Sequence, residues 1–152
     1  MIDRIFAADA LIIGSPIYLG DITSQVHGLI ERLHFCALSY DNYSNYFTGK
    51  VNVGIILTMN EPKTFYNLSY KKKAKEVAQS FKALNDEVEV YACCDTLQVN
   101  DYSKFNMTVS TRSTRRKCVR SSSPRIWRMR LTWAQDRARA KHNQRRNIQC
   151  NF

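Results

Sequence analysis

Apolar positions along the chain follow two rhythms. Residues 10–14, Ala-Leu-Ile-Ile-Gly, form a short continuous apolar run, the pattern of a strand buried on both faces. Residues 51–59 form a second such run, broken by Asn60-Glu61-Pro62, and residues 88–94 a third. Between them the period changes. Ile22, Val26, Leu29, Ile30, Leu33 and Ala37 fall on one face of a helix spanning about residues 23–36, with Asp21 or Thr23 placed to cap it. Ala74, Val77, Phe81 and Leu84 give an apolar stripe to a helix over about 67–84, whose wet face carries Lys71, Lys72, Lys73, Lys75 and Lys82. Residues 1–8 read as the last turns of a further helix, and 40–49 as a polar, aromatic loop. Short strands alternating with helices predict right-handed βαβ units and a parallel sheet, an α/β fold.

From Ser110 onward neither rhythm holds. A weak stripe of Trp127, Leu131 and Ala134 predicts at most a short basic helix. Charge changes at the same place. The 152-residue chain has a formal net charge of +10, from 23 Lys+Arg against 13 Asp+Glu. Residues 1–108 hold 10 basic and 12 acidic side chains, whereas 109–152 hold 13 basic side chains and the single acid Asp136. Eleven of the later basic residues are Arg, and all five glycines precede the seam. The chain therefore divides into an α/β unit, 1–108, and an Arg-rich, non-globular segment, 109–152. A basic whole-chain balance is a property of the second part alone.

No apolar run approaches the roughly 18–20 residues of a membrane span, and the opening Met1-Ile2-Asp3-Arg4 lacks the basic start of a signal peptide. Cys36, Cys93, Cys94, Cys118 and Cys150 form no C-x-x-C pair, and no histidine stands at zinc-ligand spacing from them, so no metal site is expected. An odd thiol count without a framework fits a reducing, cytoplasmic setting. His27 and His34, seven apart on one helix, read as surface residues. Asp86, Glu87 and Glu89 read as a turn into a strand.

In open α/β sheets ligands bind beyond the carboxyl ends of the strands. Here those ends are 15–21, 58–62 and 95–101. The first is the most distinctive: Gly14-Ser15-Pro16-Ile17-Tyr18-Leu19-Gly20 joins a strand to a helix. Ser15 offers a hydroxyl, Pro16 stiffens the turn, Tyr18 offers a flat face with a polar tip, and Gly20 permits close backbone approach. Two readings stand on these residues alone: an ordinary strand-to-helix turn with one exposed tyrosine, or a loop that lies along a planar heterocycle.

The run Ala8-Asp9-Ala10-Leu11-Ile12-Ile13-Gly14-Ser15-Pro16-Ile17-Tyr18-Leu19-Gly20, followed by Leu29-Ile30-Glu31-Arg32, resembles the flavodoxin-like NAD(P)H-dependent FMN reductases, closest to the branch with the iron–sulfur flavoproteins. Cys94-Asp95-Thr96-Leu97-Gln98 and Asp101-Tyr102-Ser103-Lys104-Phe105 resemble that branch's ending, so the resemblance covers about 1–107. It implies a three-layer fold with sheet order 2-1-3-4-5, of which this chain holds the third, fourth and fifth strands. It implies FMN as cofactor and NAD(P)H as electron donor, with Ser15, Pro16, Ile17, Tyr18, Leu19 and Gly20 along the flavin ring and Thr58, Met59 and Asn60 bordering it. The cofactor carries the hydride chemistry in such enzymes, so no catalytic acid or base is assigned.

The chain departs from that family pattern at both ends. The first strands, the phosphate-cradling loop and the cysteine cluster of the iron–sulfur branch have no counterpart, and the Arg-rich segment stands where a mixed-charge helix belongs. The expectation is an oxidoreductase by descent with weak FMN binding, and a segment from about Val109 read in a shifted frame. A homodimer or complementing chain along the open sheet edge is the partner this implies. The alternative is a small α/β binding module whose basic segment contacts nucleic acid or an acidic partner, with nonspecific polyanion binding expected in either case.

Overall fold

A computed structural model describes residues 1–97, together with Gln135, Asp136 and Arg139, which are helical and exposed. The seam at 108, the sequence around Asp101, the stripe of Trp127, Leu131 and Ala134, and Cys118 and Cys150 lie outside the described residues. The elements in order are α1 (Ile2–Phe6), β1 (Ala10–Pro16), α2 (Ser24–Ala37), β2 (Asn52–Thr58), α3 (Lys63–Phe65), a π-helical turn (Tyr66–Tyr70), α4 (Lys71–Ser80), a 3₁₀ turn (Phe81–Leu84) and β3 (Val88–Cys93).

The three strands form one parallel sheet in the order β1-β2-β3. This is an α/β fold consistent with part of a flavodoxin-like domain, in the order expected for that family's last three strands. In the register Leu11, Ile13 and Ser15 stand beside Val53, Ile55 and Leu57, and these beside Val88, Val90 and Ala92. That row forms one face, because side chains alternate along a strand. The face packs against the helical layer: Val26 and Leu33 from α2, Ala74 and Val77 from α4, and Phe81 and Leu84 from the 3₁₀ turn join Ile13, Val53, Ile55 and Leu57 in one buried cluster. Phe81, Leu33, Ile55 and Leu57 are almost wholly excluded from solvent. Burial of each such side chain contributes about 1.5–3 kcal/mol. Both helical stripes read from the sequence thus face the sheet, with Leu29 and Ile30 partly buried beside it.

The structure corrects three expectations. β1 is not buried on both faces: Ile13 and Ser15 are buried, whereas Ile12 is 48% exposed and Gly14 is exposed. A continuous apolar run records hydrophobicity but not which face a layer covers. β1 also runs two residues further than its apolar run, so Ser15 and Pro16 belong to the strand, paired with Leu57 and Thr58. The long second helix begins near Pro62 and is irregular, with a π turn before α4 and a 3₁₀ turn after it. Asn85, at φ 61°, ends that helix in the left-handed conformation. Its side chain donates to the Phe47 and Gly49 carbonyls and accepts from Asn45, tying the aromatic loop to the helix end.

Candidate functional site

The carboxyl ends of the three strands are stitched together by backbone hydrogen bonds. Ile17 N–H donates to the Thr58 carbonyl at 2.8 Å, and Met59 N–H to that of Cys93 at 3.0 Å. Thr96 then donates twice to the Met59 carbonyl, through its N–H at 3.0 Å and its hydroxyl at 2.9 Å. Between these segments lies a cavity of about 330 Å³ lined by residues 16–18, 58–60 and 96–97. Among the described residues, all that line it are uncharged. A larger groove of about 450 Å³ lies on the helical layer among His34, Lys72, Lys75, Glu76, Gln79 and Ser80. Its walls are long, mostly charged or amide side chains, and it stands apart from the strand ends where α/β sheets take ligands.

Past β1 the chain makes a tight turn. Tyr18 N–H donates to the Asp21 carbonyl at 2.9 Å, and Asp21 N–H returns to that of Tyr18 at 3.1 Å. The two central residues, Leu19 at φ 49° and Gly20 at φ 87°, both have left-handed backbones, the signature of a type I′ turn. Glycine adopts this freely, and a β-carbon on Gly20 would stand 3.8 Å from the Tyr70 ring, so conformation rather than crowding selects it. Leu19 carries a cost of roughly 1–2 kcal/mol there and is fully exposed. Tyr18, at the rim of the cavity, is 64% exposed.

The expected site residues therefore separate. Pro16, Ile17, Tyr18, Thr58, Met59 and Asn60 come together around the cavity, with the Met59 side chain in the core. Ser15 stands behind it, on the helical face of the sheet. Its buried hydroxyl accepts Thr23 N–H at 3.0 Å and donates to the Pro16 carbonyl at 2.9 Å. Leu19 and Gly20 form the turn tip outside the lining. Neither Asp21 nor Thr23 caps α2 with its side chain; Asp21 Oδ1 accepts the N–H of Ile22 at 2.7 Å instead. Thr96 and Leu97 complete the cavity. Their signal in sequence was their place beyond the third strand, which named the segment but no residue.

Asp21 is the electrostatic centre of the loop. Its Oδ2 lies 2.9 Å from Lys73 Nζ and its Oδ1 3.4 Å from His27 Nε2. Desolvation pushes its carboxyl up, but the hydrogen bonds from Lys73 and Ile22 N–H and the charges of Lys73 and His27 outweigh it and hold the group below its ordinary value. The Lys73 ammonium is raised in turn, chiefly by its hydrogen bond to Asp21. Burial, with Cys94 nearby, pushes the Tyr66 phenol up.

His34 takes a different partner from His27, with Nε2 2.7 Å from the Ser80 carbonyl. Among the described residues no three His, Cys, Asp or Glu side chains gather as a metal-binding group, and no helix is long and apolar enough to cross a membrane.

The uncharged lining and the exposed tyrosine face fit a flat heterocycle such as a flavin ring. Among the described residues they offer no cationic side chain to a phosphate. Searches of curated proteins and of solved structures found no match. Residues 1–63, which hold α1, β1, the Tyr18–Asp21 turn, α2 and β2, match the family model described as NADPH-dependent FMN reductase. With the three-stranded parallel sheet, that match is consistent with a member of the flavodoxin-like FMN reductase family.

Proposed function

We propose that the strand-end cavity is the flavin-ring part of an FMN site in an NAD(P)H-dependent oxidoreductase. The observation that carries this reading is the uncharged cavity at the carboxyl ends of β1 and β2, with Tyr18 at its rim. Pro16, Ile17 and Tyr18 would lie along one side of the ring, and Thr58, Met59 and Asn60 would border it. Ser15, Leu19 and Gly20 would act from behind and beside the loop, shaping it. FMN, when bound, supplies hydride transfer from NAD(P)H, and the protein's part is binding and orientation. No side chain of the cavity is assigned a proton.

Among the described residues no cationic side chain lines the cavity; on these residues FMN binding should rest on the ring and be weak, with low oxidoreductase activity. Riboflavin, which has the ring without the phosphate, is the informative probe. Quenching of flavin fluorescence should give FMN and riboflavin affinities within about threefold, under 1 kcal/mol apart. Purification with stoichiometric FMN would overturn the weak-binding part. Absence of any riboflavin binding would overturn the site itself.

A second reading concerns the Arg-rich segment. Thirteen basic side chains against one acid in residues 109–152 favour nonspecific contact with nucleic acid or another polyanion. Anisotropy titration with single-stranded oligonucleotides of two unrelated sequences should give equal affinities that fall steeply with salt. Sequence preference at physiological salt would favour a dedicated binding module instead. A second copy or a complementing chain along β1, which bonds only to β2 among the described strands, belongs to the same proposal and is tested by size exclusion with light scattering.

A further inference from the structure

Lys73 stands among three consecutive lysines, a run that in sequence reads as a solvated face, yet its ammonium meets Asp21 at the far end of the ring loop. The π turn over Tyr66–Tyr70 lies just before it. Ala74 and Val77 lie in the core, and the helix period sets Lys73 at the edge of their stripe, beside the loop. Tyr70, at the end of the same π turn, stands next to Gly20.

The loop carries local strain. Its turn contains a leucine in the left-handed conformation, and that side chain is fully exposed. The hydrogen bonds between Tyr18 and Asp21 lie within the turn itself. Beyond the turn, the Asp21 carboxylate takes the N–H of Ile22, the neighbouring His27 and the cross-element bond from Lys73. Lys73 is the polar side-chain contact from α4 to the turn among the described residues, beside the apolar packing of Ile22 in the shared core.

We propose that Lys73 is a positioning residue of the ring loop. By pairing with Asp21 it keeps the Tyr18–Asp21 turn closed and sets Tyr18 at the rim of the cavity. What Tyr18 meets there rests on the flavin reading of that cavity.

The test uses the full chain and three variants: Lys73→Met, which removes the charge; Lys73→Arg, which keeps it; and Asp21→Asn, which opens the same pair from the other side. Two quantities are read, the hydrogen-exchange rate of the Asp21 amide and the riboflavin affinity from fluorescence quenching. Loss of an exposed ion pair predicts about fivefold faster exchange and about fivefold weaker riboflavin binding in Lys73→Met and Asp21→Asn, with Lys73→Arg near wild type. Unchanged exchange in Lys73→Met and Asp21→Asn would overturn the inference. So would faster exchange with unaltered riboflavin affinity, which would make the pair structural only. Failure of the unsubstituted chain to bind riboflavin would instead remove the flavin reading, and the positioning role with it.

Discussion

The Ser15 hydroxyl accepts the Thr23 N–H at 3.0 Å, so the end of β1 caps the start of α2. The helix has no side-chain cap of its own, although Thr23 occupies the cap position. Ser15 is also buried, so its removal leaves an N–H without that acceptor in a dry place. Ser15→Ala should cost about 1–2 kcal/mol, read as a lower urea midpoint with an unchanged slope.

Leu19 tests the strain in the turn. Asparagine tolerates the left-handed region because its side chain bonds locally, whereas a β-branched residue tolerates it least. Leu19→Asn should raise stability by about 0.5–1 kcal/mol, and Leu19→Val should lower it by about 1 kcal/mol. Thermal midpoints of the two variants should fall on opposite sides of the wild type.

The Asp21–Lys73 pair has a defined pH window. The aspartate is depressed, so its contribution is present above the ordinary value of 3.8 and is lost as pH falls through the lower folded value. The lysine is raised, so its contribution is present below 10.5 and is lost as pH rises through the higher folded value. The stability difference between wild type and Asp21→Asn should be flat near neutrality and shrink under acid. Both side chains are more than a third exposed, which limits the difference to about 1 kcal/mol and makes it salt-sensitive. Paired thermal melts at pH 7 and pH 3 check the sign.

Asn85 separates backbone conformation from side-chain bonding. Asn85→Gly keeps the left-handed backbone but loses the bonds to Phe47, Gly49 and Asn45. Asn85→Ala loses both. The glycine variant should be destabilised by about 1–2 kcal/mol and the alanine variant by about 1 kcal/mol more, measured by urea titration.

The helical stripes were readable because each apolar position repeats at the helix period and had one layer to meet. Val26 and Leu33, and Ala74, Val77, Phe81 and Leu84, all turn to the sheet as expected. The strand end was harder. Ser15 looks like a ligand-binding hydroxyl in sequence, since nothing there reveals that Thr23 N–H lies within its reach. Lys73 was hidden in a run of like residues: the helix period puts it at the edge of the Ala74 and Val77 stripe, but only the fold brings Asp21 opposite it. Ile12 and Gly14 lie open on the other face, which the apolar run does not show, because which side of a sheet is covered depends on where the crossovers run.

That connectivity has a kinetic side. Ala10 pairs with Asn52, and Val53 with Val88, each across an entire intervening helix, and no two of the described strands are joined by a hairpin. Parallel pairing cannot start from a local turn, so loop closure must precede any reward from the sheet. β2 pairs on both sides, so the sheet is complete only once the crossovers carrying α2 and α4 have both closed. The folding rate should therefore be slow for the chain's size, and most sensitive to substitutions at Val53, Ile55 and Leu57.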